Sequence, residues 1–272
     1  MQPNMPQAKT VLVTGAAKRL GKAIALELAT QGWQVALHYH HSRAEALATE
    51  AEIALLGPVA SFQADLSQAQ ACQDLFAQVQ KHFGQVDALV NSASQFDHDD
   101  ALSFRPDLAQ AHLAVNCVAP IVLAQCLYAH LEARSKVQAH LGPESGGARE
   151  GAIQGAVVNL LDQKLWNLNP DFLSYTLSKA ALQAATTMMA QSFAPRLRVC
   201  GVAPGLTMPS YLQDAAAFSK AHQVSPLGRS SRPEDVARTV RFVLENESMT
   251  ASQILVDGGQ HLMHLPRDIS FL

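Results

Sequence analysis

Apolar residues along this chain fall into two alternating periods. Short, nearly unbroken runs rich in Val, Leu, Ile and Ala occur at residues 10–14, 34–39, up to 63, 86–91, 156–161, 196–203 and 253–256. Unbroken rather than alternating runs of this length predict strands covered on both faces, as in a parallel sheet. Between them lie longer stretches with apolar residues three and four apart, predicting helices around Ile24 and Leu28, over 44–56, from near Ser67, over 106–131, from 171 to about 194, and from Pro233. Strand and helix alternate throughout, so the predicted fold is α/β, a doubly wound parallel sheet in one domain. Residues 208–229 read as a loop, a lid carrying Met208, Tyr211, Leu212 and Phe218. Residues 135–155, rich in Gly, Ser, Pro and Glu, read as a mobile insertion, and 1–8 as a flexible tail preceding the domain at 9–272.

Composition narrows the function classes. The 272 residues suffice for one large domain, and a formal charge of −3 offers no footprint for nucleic acid or an anionic membrane surface. No apolar run is expected to approach a membrane span of about 20 residues. The scattered Cys72, Cys117, Cys126 and Cys200 fit reduced thiols in a cytoplasmic protein rather than a disulfide framework or zinc site. Small molecules and further copies of the chain are therefore the expected partners.

Candidate chemistry gathers at strand ends. Tyr175 and Lys179, four apart on a predicted helix, leave one face together, and a neighbouring ammonium is expected to lower the phenol's pKa. Asp162, at the end of the strand preceding them, faces the same region. Behind the first strand, Gly15, Lys18, Arg19 and Leu20 lie in a glycine turn leading into a helix, a layout that aims backbone N–H groups at a phosphate. A partner for the ribose hydroxyl is expected as an acid about 20 residues on. The chain has instead His38, Tyr39, His40, His41, Ser42 and Arg43, donors and positive charge that suit a 2′-phosphate and favour NADP(H). A metal site on these histidines is disfavoured, because no Cys or acid follows at ligand spacing. Asp65, followed by Leu66, either accepts from an adenine amino group or caps the next helix. Asn91, Ser92 and Ala93 end the fourth strand with small residues that admit a cofactor, and Phe96 either stacks on a flat ring or packs internally. Asn116, polar within an apolar helical stretch, either holds a kink beside the site or caps something structural.

In order and combination, Thr14-Gly15 with Gly21, Asp65, Asn91 to Ser94, Asn116, Tyr175 with Lys179, Pro204-Gly205 and Asp257-Gly258-Gly259 resemble the short-chain dehydrogenase/reductase family over nearly the whole chain. Residues 14–21, the Leu-His-Tyr-His run at 37–40 with Ser42, Ser94 with Phe96, and Asp162 thirteen residues before Tyr175 are most similar to the pteridine reductases within it. The resemblance implies a Rossmann-type fold, NADP(H), and reduction of a pterin, dihydropterin or dihydrofolate. It implies catalytic roles for Asp162, Tyr175, Lys179 and Asn116. It implies cofactor contacts from the glycine turn, residues 39–42, Asp65, Leu66, Asn91 to Ala93, Tyr175, Lys179, Pro204 and Gly205. Arg19, Ser94, Phe96, Asp162 and Tyr175 would line the substrate site, and assembly would be a homodimer or homotetramer. Arg19 replaces the family's usual middle glycine, and Asp162 stands where most members carry a serine. A carboxylate there would repel the alkoxide of a ketone reduction, whereas a protonated acid would help deliver a proton to the nitrogen of a C=N bond. Gripping the ligand's amino-pyrimidine part, or capping a turn, are the other readings of Asp162. His41 and Ser92 also depart from the pattern, and a carbonyl or imine reductase or an NADP-binding sensor are the rival functions.

Overall fold

The computed structural model describes residues 8–140, 155–209 and 213–271. Seven parallel strands form one sheet: β1 (Thr10–Val13), β2 (Gln34–Tyr39), β3 (Val59–Gln63), β4 (Ala88–Asn91), β5 (Gly155–Leu160), β6 (Leu197–Pro204) and β7 (Gln253–Val256), in the order β3-β2-β1-β4-β5-β6-β7. The central strands β1, β4 and β6 are buried along their whole length, as their unbroken apolar runs require. Helices α1 (Arg19–Thr30), α2 (Arg43–Ala54) and α8 (Pro233–Glu245) cover one face, with Ile24, Leu28, Val236 and Val240 in its core. Helices α3 (Ala69–Phe83), α5 (Ala119–His140) and α6 (Leu173–Phe193) cover the other, with Leu75, Leu123, Leu127, Leu131 and Met189 beneath them. Helices α4 (Pro106–Leu113) and α7 (Ala215–Gln223) complete the set.

Several expectations are corrected. The helix foreseen over 106–131 is three pieces: α4, a π-helical turn Ala114–Val118, and α5, which runs to His140. Residues 135–140 are therefore helix rather than insertion, and 155 begins β5; the rest of that segment, 141–154, lies outside the described residues, as does most of the tail. The run Pro106–Val137 is apolar enough to cross a membrane by length and composition, contrary to expectation. Here it is packed, with Leu123, Leu127 and Leu131 fully buried. The expected lid contains α7, whose start is fixed by Asp214 accepting from the Ala217 N–H at 2.8 Å. Tyr211 and Leu212 are outside the described residues.

The start of α6 is also set differently. Asp171 does not cap it: Phe172 occupies the N-cap with φ +56°, and Asp99, from the loop after β4, accepts from the Ser174 N–H at 2.9 Å and from its hydroxyl. A distant carboxylate satisfies the free N–H groups at the helix start, and Asp171 is released for another contact.

Candidate active site

The sheet order reverses between β1 and β4, so their carboxyl ends flank the crevice where ligands bind in open α/β sheets. Gly15, with φ +65°, makes the turn out of β1, and a Cβ there would lie 2.8 Å from the Ala93 Cα. A side chain on Gly21 would run into the Gly15 carbonyl. The turn is thus packed against both α1 and the end of β4, leaving its outer backbone free for a phosphate. The Thr14 hydroxyl accepts from the N–H groups of Ser92 and Ala93, each at 3.0 Å, and ties the two loops together.

Arg19 takes φ +56° at the first position of α1, a left-handed backbone conformation that favours glycine. Its guanidinium donates to the Pro209 carbonyl at 2.8 Å, joining the glycine turn to the loop after β6. Left-handed backbone at an arginine is a local cost of about 1 kcal/mol. Arg19→Gly is expected to relieve that strain but lose the bond to Pro209, so that stability in urea denaturation changes by no more than about 1 kcal/mol.

Beyond β2, the side chains of Lys18, Arg19, His40, His41 and Arg43 are exposed and Ser42 and Tyr39 half-buried. His40 and His41 lie with ring centroids 3.5 Å apart. His38 does not join them. It is buried, its Nδ1 accepts from the Gly15 N–H at 3.1 Å, and its Nε2 faces the Ala64 carbonyl at 3.1 Å. These partners select the neutral tautomer protonated on Nε2. Burial lowers its pKa to about 4, so His38 braces the glycine turn and brings no charge toward a phosphate.

Two further predicted cofactor residues turn their side chains elsewhere, and a third, Asp65, stays half-exposed beside His40. The Leu66 side chain is in the core. The Asn91 amide donates across the sheet to Asn159 at 2.8 Å. Asp65 accepts from the Ser67 N–H at 2.9 Å, closing the turn before α3. Only the backbone of Leu66 and Asn91 remains to meet a ligand. Leu20 likewise packs on the core. Pro204 ends β6, and Gly205 follows where a Cβ would lie 2.5 Å from the Ser230 hydroxyl and 2.7 Å from the Gln260 side-chain oxygen. The close packing of the Asp257-Gly258-Gly259 turn requires that glycine.

Asn116 stands in the π-helical turn, a distortion that recurs beside functional sites. Its Oδ1 accepts from the Gln95 N–H at 2.8 Å, and its Nδ2 donates to the Gln95 carbonyl and the Ser178 hydroxyl, each at 2.9 Å. One helical turn earlier, the buried His112 accepts from the Asp97 N–H at 3.2 Å through Nε2. The loop bearing Ser94 and Phe96 is therefore held at the residues immediately before and after Phe96. Sequence reading missed His112; its spacing of four from Asn116 was the available signal.

The catalytic candidates meet on β5 and α6. The Tyr175 hydroxyl donates to the Asp162 Oδ2 at 2.7 Å, and the Lys164 N–H donates to the Asp162 Oδ1 at 2.8 Å. Asp162 keeps some exposed surface, but its carboxyl is withdrawn from water, and that desolvation outweighs its hydrogen bonds and raises its pKa. Lys179 is buried and donates to the Leu160 carbonyl at 2.7 Å; burial lowers its pKa to about 8. The expectation that Lys179 acidifies Tyr175 is corrected. Burial first, then the Asp162 charge and hydrogen bond, push the phenol well above its ordinary value, and the ammonium lies 5.8 Å from the ring centroid. Asp162 and Tyr175 are a coupled pair in which burial pushes both groups toward their protonated forms. Phe96 stands with its ring edge-on to Tyr175, centroids 4.7 Å apart, and stacks on Phe172 at 4.4 Å.

Solved structures share this fold. FolM alternative dihydrofolate reductase 1 of Brucella canis, crystallised with NADP, superposes with a TM-score of 0.81 at 38% identity, covering 94% of this chain and 95% of its own. Pteridine reductase 1 of Leishmania tarentolae is 29% identical over 94% of this chain and 98% of its own length. The 3-oxoacyl-[acyl-carrier-protein] reductase of Staphylococcus epidermidis is equally similar, 29% over 93% and 99%. Residues 9–219 match the short chain dehydrogenase family. With the glycine turn, the Tyr175–Lys179 pair and the seven-stranded sheet in place, this chain belongs to the short-chain dehydrogenase family and is an oxidoreductase.

Proposed function

We propose that this protein is an NADPH-dependent reductase of a pterin, dihydropterin or dihydrofolate ring. The observation that carries the reading is the Tyr175 hydroxyl bonded to the Asp162 carboxyl at 2.7 Å inside a desolvated pocket. Equal identity to a pteridine reductase and to an oxoacyl reductase leaves overall similarity neutral on substrate, so the reading rests on the site. Asp162 in place of the usual serine disfavours a developing alkoxide and favours a ring nitrogen that must gain a proton. The 38% identity to a dihydrofolate reductase of this fold supports the same class.

The residues fit the dinucleotide. The glycine turn leaves no room for side chains at Gly15 and Gly21, so a pyrophosphate can approach its backbone, and Lys18, His40, His41, Ser42 and Arg43 border the position for a 2′-phosphate. Lys179 would hold the nicotinamide ribose, and the backbone of Ser92, Ala93, Pro204 and Gly205 would border the ring. When bound, the reduced nicotinamide supplies the hydride to a ring carbon. Tyr175 supplies the proton to the adjacent nitrogen. Asp162, whose pKa burial raises, would share and replace that proton. Arg19, Ser94 and Phe96 orient the heterocycle, Phe96 by stacking. Asn116 keeps the Phe96 loop fixed during these steps.

A homodimer or homotetramer through α4, α5 and α6 is part of the proposal, supported by the exposed Leu113, Val118, Leu177 and Met188. A reducing compartment, the cytoplasm, suits four free cysteines. The test is a titration with NADPH and then with dihydrobiopterin and dihydrofolate, following nicotinamide fluorescence, together with steady-state assays of each against a simple ketone. Turnover of either heterocycle well above the ketone is the expected result; ketone turnover alone would leave a carbonyl reductase, and cofactor binding without any turnover a sensor.

A further inference from the structure

The chain does not stop at β7. After the Asp257-Gly258-Gly259 turn, residues 260–271 run back across the carboxyl edge of the sheet, pinned at the outset by the Asn167 side chain donating to the carbonyls of Gln260 and Met263. Two buried charges wait for this segment. Asp171, just before α6, receives the Arg267 Nε at 2.8 and 3.0 Å, the Arg267 Nη2 at 2.8 Å and the Asp268 N–H at 2.8 Å. Lys164, whose side chain is 4% exposed, donates to Asp268 at 2.8 Å and to Asn169 at 2.5 Å. With the segment docked both Asp171 and Lys164 are buried, and the segment supplies each with its charge partner, a pairing that is strongly destabilising to break from one side only.

Both grips end on the reacting groups. The backbone N–H of Lys164 holds the Asp162 Oδ1, so the ion pair with Asp268 acts on the same residue that makes that hydrogen bond. Phe271 stacks on Phe172 at 6.1 Å, Phe172 stacks on Phe96, and Phe96 meets the edge of Tyr175. His98 stands edge-on to both Phe172 and Phe271 and touches Asp171 at 3.4 Å, closing the arrangement. Phe172 itself is fully buried with φ +56°, a conformation a bulky residue holds only where its surroundings impose it.

We propose that the C-terminal segment is a positioning strap of its own subunit's active site, with Arg267–Asp171 fixing the ring stack that ends on Phe96 and Asp268–Lys164 fixing the Asp162 carboxyl against Tyr175. The inference rests on the site assignment given above but not on the substrate class. Asp268 also adds negative charge near the acid pair and contributes to raising both Asp162 and Tyr175. The other charged or titratable groups around the pair are Lys164 on the turn after β5, Lys179 on α6, and His112, whose ring centroid is 6.4 Å from that of Tyr175.

The experiment uses full-length Arg267→Ala, Arg267→Lys and Asp268→Asn with whichever substrate the wild-type protein reduces. For Arg267→Ala, the substrate KM is expected to rise about tenfold, with NADPH affinity by fluorescence titration within about twofold, and Arg267→Lys to recover only part because an ammonium cannot reproduce the two-pronged contact. For Asp268→Asn, the alkaline fall in kcat/KM is expected at lower pH than in the wild type. Variants that lose thermal stability but keep wild-type KM and an unshifted pH profile would show a purely structural anchor and overturn the proposal. Co-expressed Arg267→Ala and Tyr175→Phe chains are expected not to complement; wild-type KM restored in the mixed oligomer would place the strap on a neighbouring subunit and overturn it as well. If the wild-type protein reduces only ketones, the pterin reading falls while these outcomes still judge the strap.

Discussion

Tyr175→Phe is expected to lower kcat for a dihydropterin by about three orders of magnitude, within the range spanned by loss of a positioned proton donor. The substitution keeps the ring, and so keeps the edge-on contact with Phe96 and the packing at the start of α6. It removes the hydroxyl that donates to Asp162 at 2.7 Å and is the group nearest to deliver a proton. NADPH binding is expected to stay within about threefold, because the ribose contact assigned to Lys179 is untouched. Single-turnover measurements under saturating NADPH separate the two effects. A variant retaining a tenth of wild-type turnover would mean that the proton comes from elsewhere, and an undisturbed cellular output would favour a sensor over an enzyme.

The second large effect belongs to Asp162→Ser, which restores the residue most family members carry. Turnover of the heterocycle is expected to fall about 10²- to 10³-fold, while reduction of a simple ketone gains about tenfold, because no carboxylate then faces the developing alkoxide. The wild-type pH profile carries the sign of this argument. Asp162 has a raised pKa, so it serves as an acid below that value and the rate falls as pH rises through it; the serine variant is expected to lose that limb. Lys179, lowered to about 8, gives up its charge above that pH in the wild type, and without the Asp162 charge that holds its pKa up the corresponding decline in the serine variant is expected at lower pH. Equal loss of both substrates, with an unchanged profile, would reduce Asp162 to a turn cap accepting from Lys164.

Much of this site is written in local pattern. The runs at 10–14, 86–91 and 156–161 are unbroken because their strands are covered on both faces, and that alone predicts a parallel sheet whose carboxyl edge carries the ligand. The interval of four between Tyr175 and Lys179 is a property of one helix, as is the glycine turn a property of one strand and the helix after it. Each is fixed by residues within a few positions of one another, and the family resemblance added the proposed substrate class through Asp162.

Other features depended on residues far apart in the chain. His38 looked like one more cation beside a phosphate; the Gly15 N–H and Ala64 carbonyl on either side, and burial to a pKa of about 4, make it a neutral brace. Asp171 looked like a helix start until Arg267, 96 residues later, took its carboxylate and Asp99 took the helix. The direction of the Tyr175 pKa was misjudged because helical spacing shows that Lys179 is near but not that Asp162 is nearer, nor that water is excluded. Sequence determined which groups are present and which share an element; tertiary structure determined their protonation and their partners. The reason is physical: backbone geometry is set by neighbours along the chain, whereas desolvation and ion pairing depend on what the rest of the fold brings against each group.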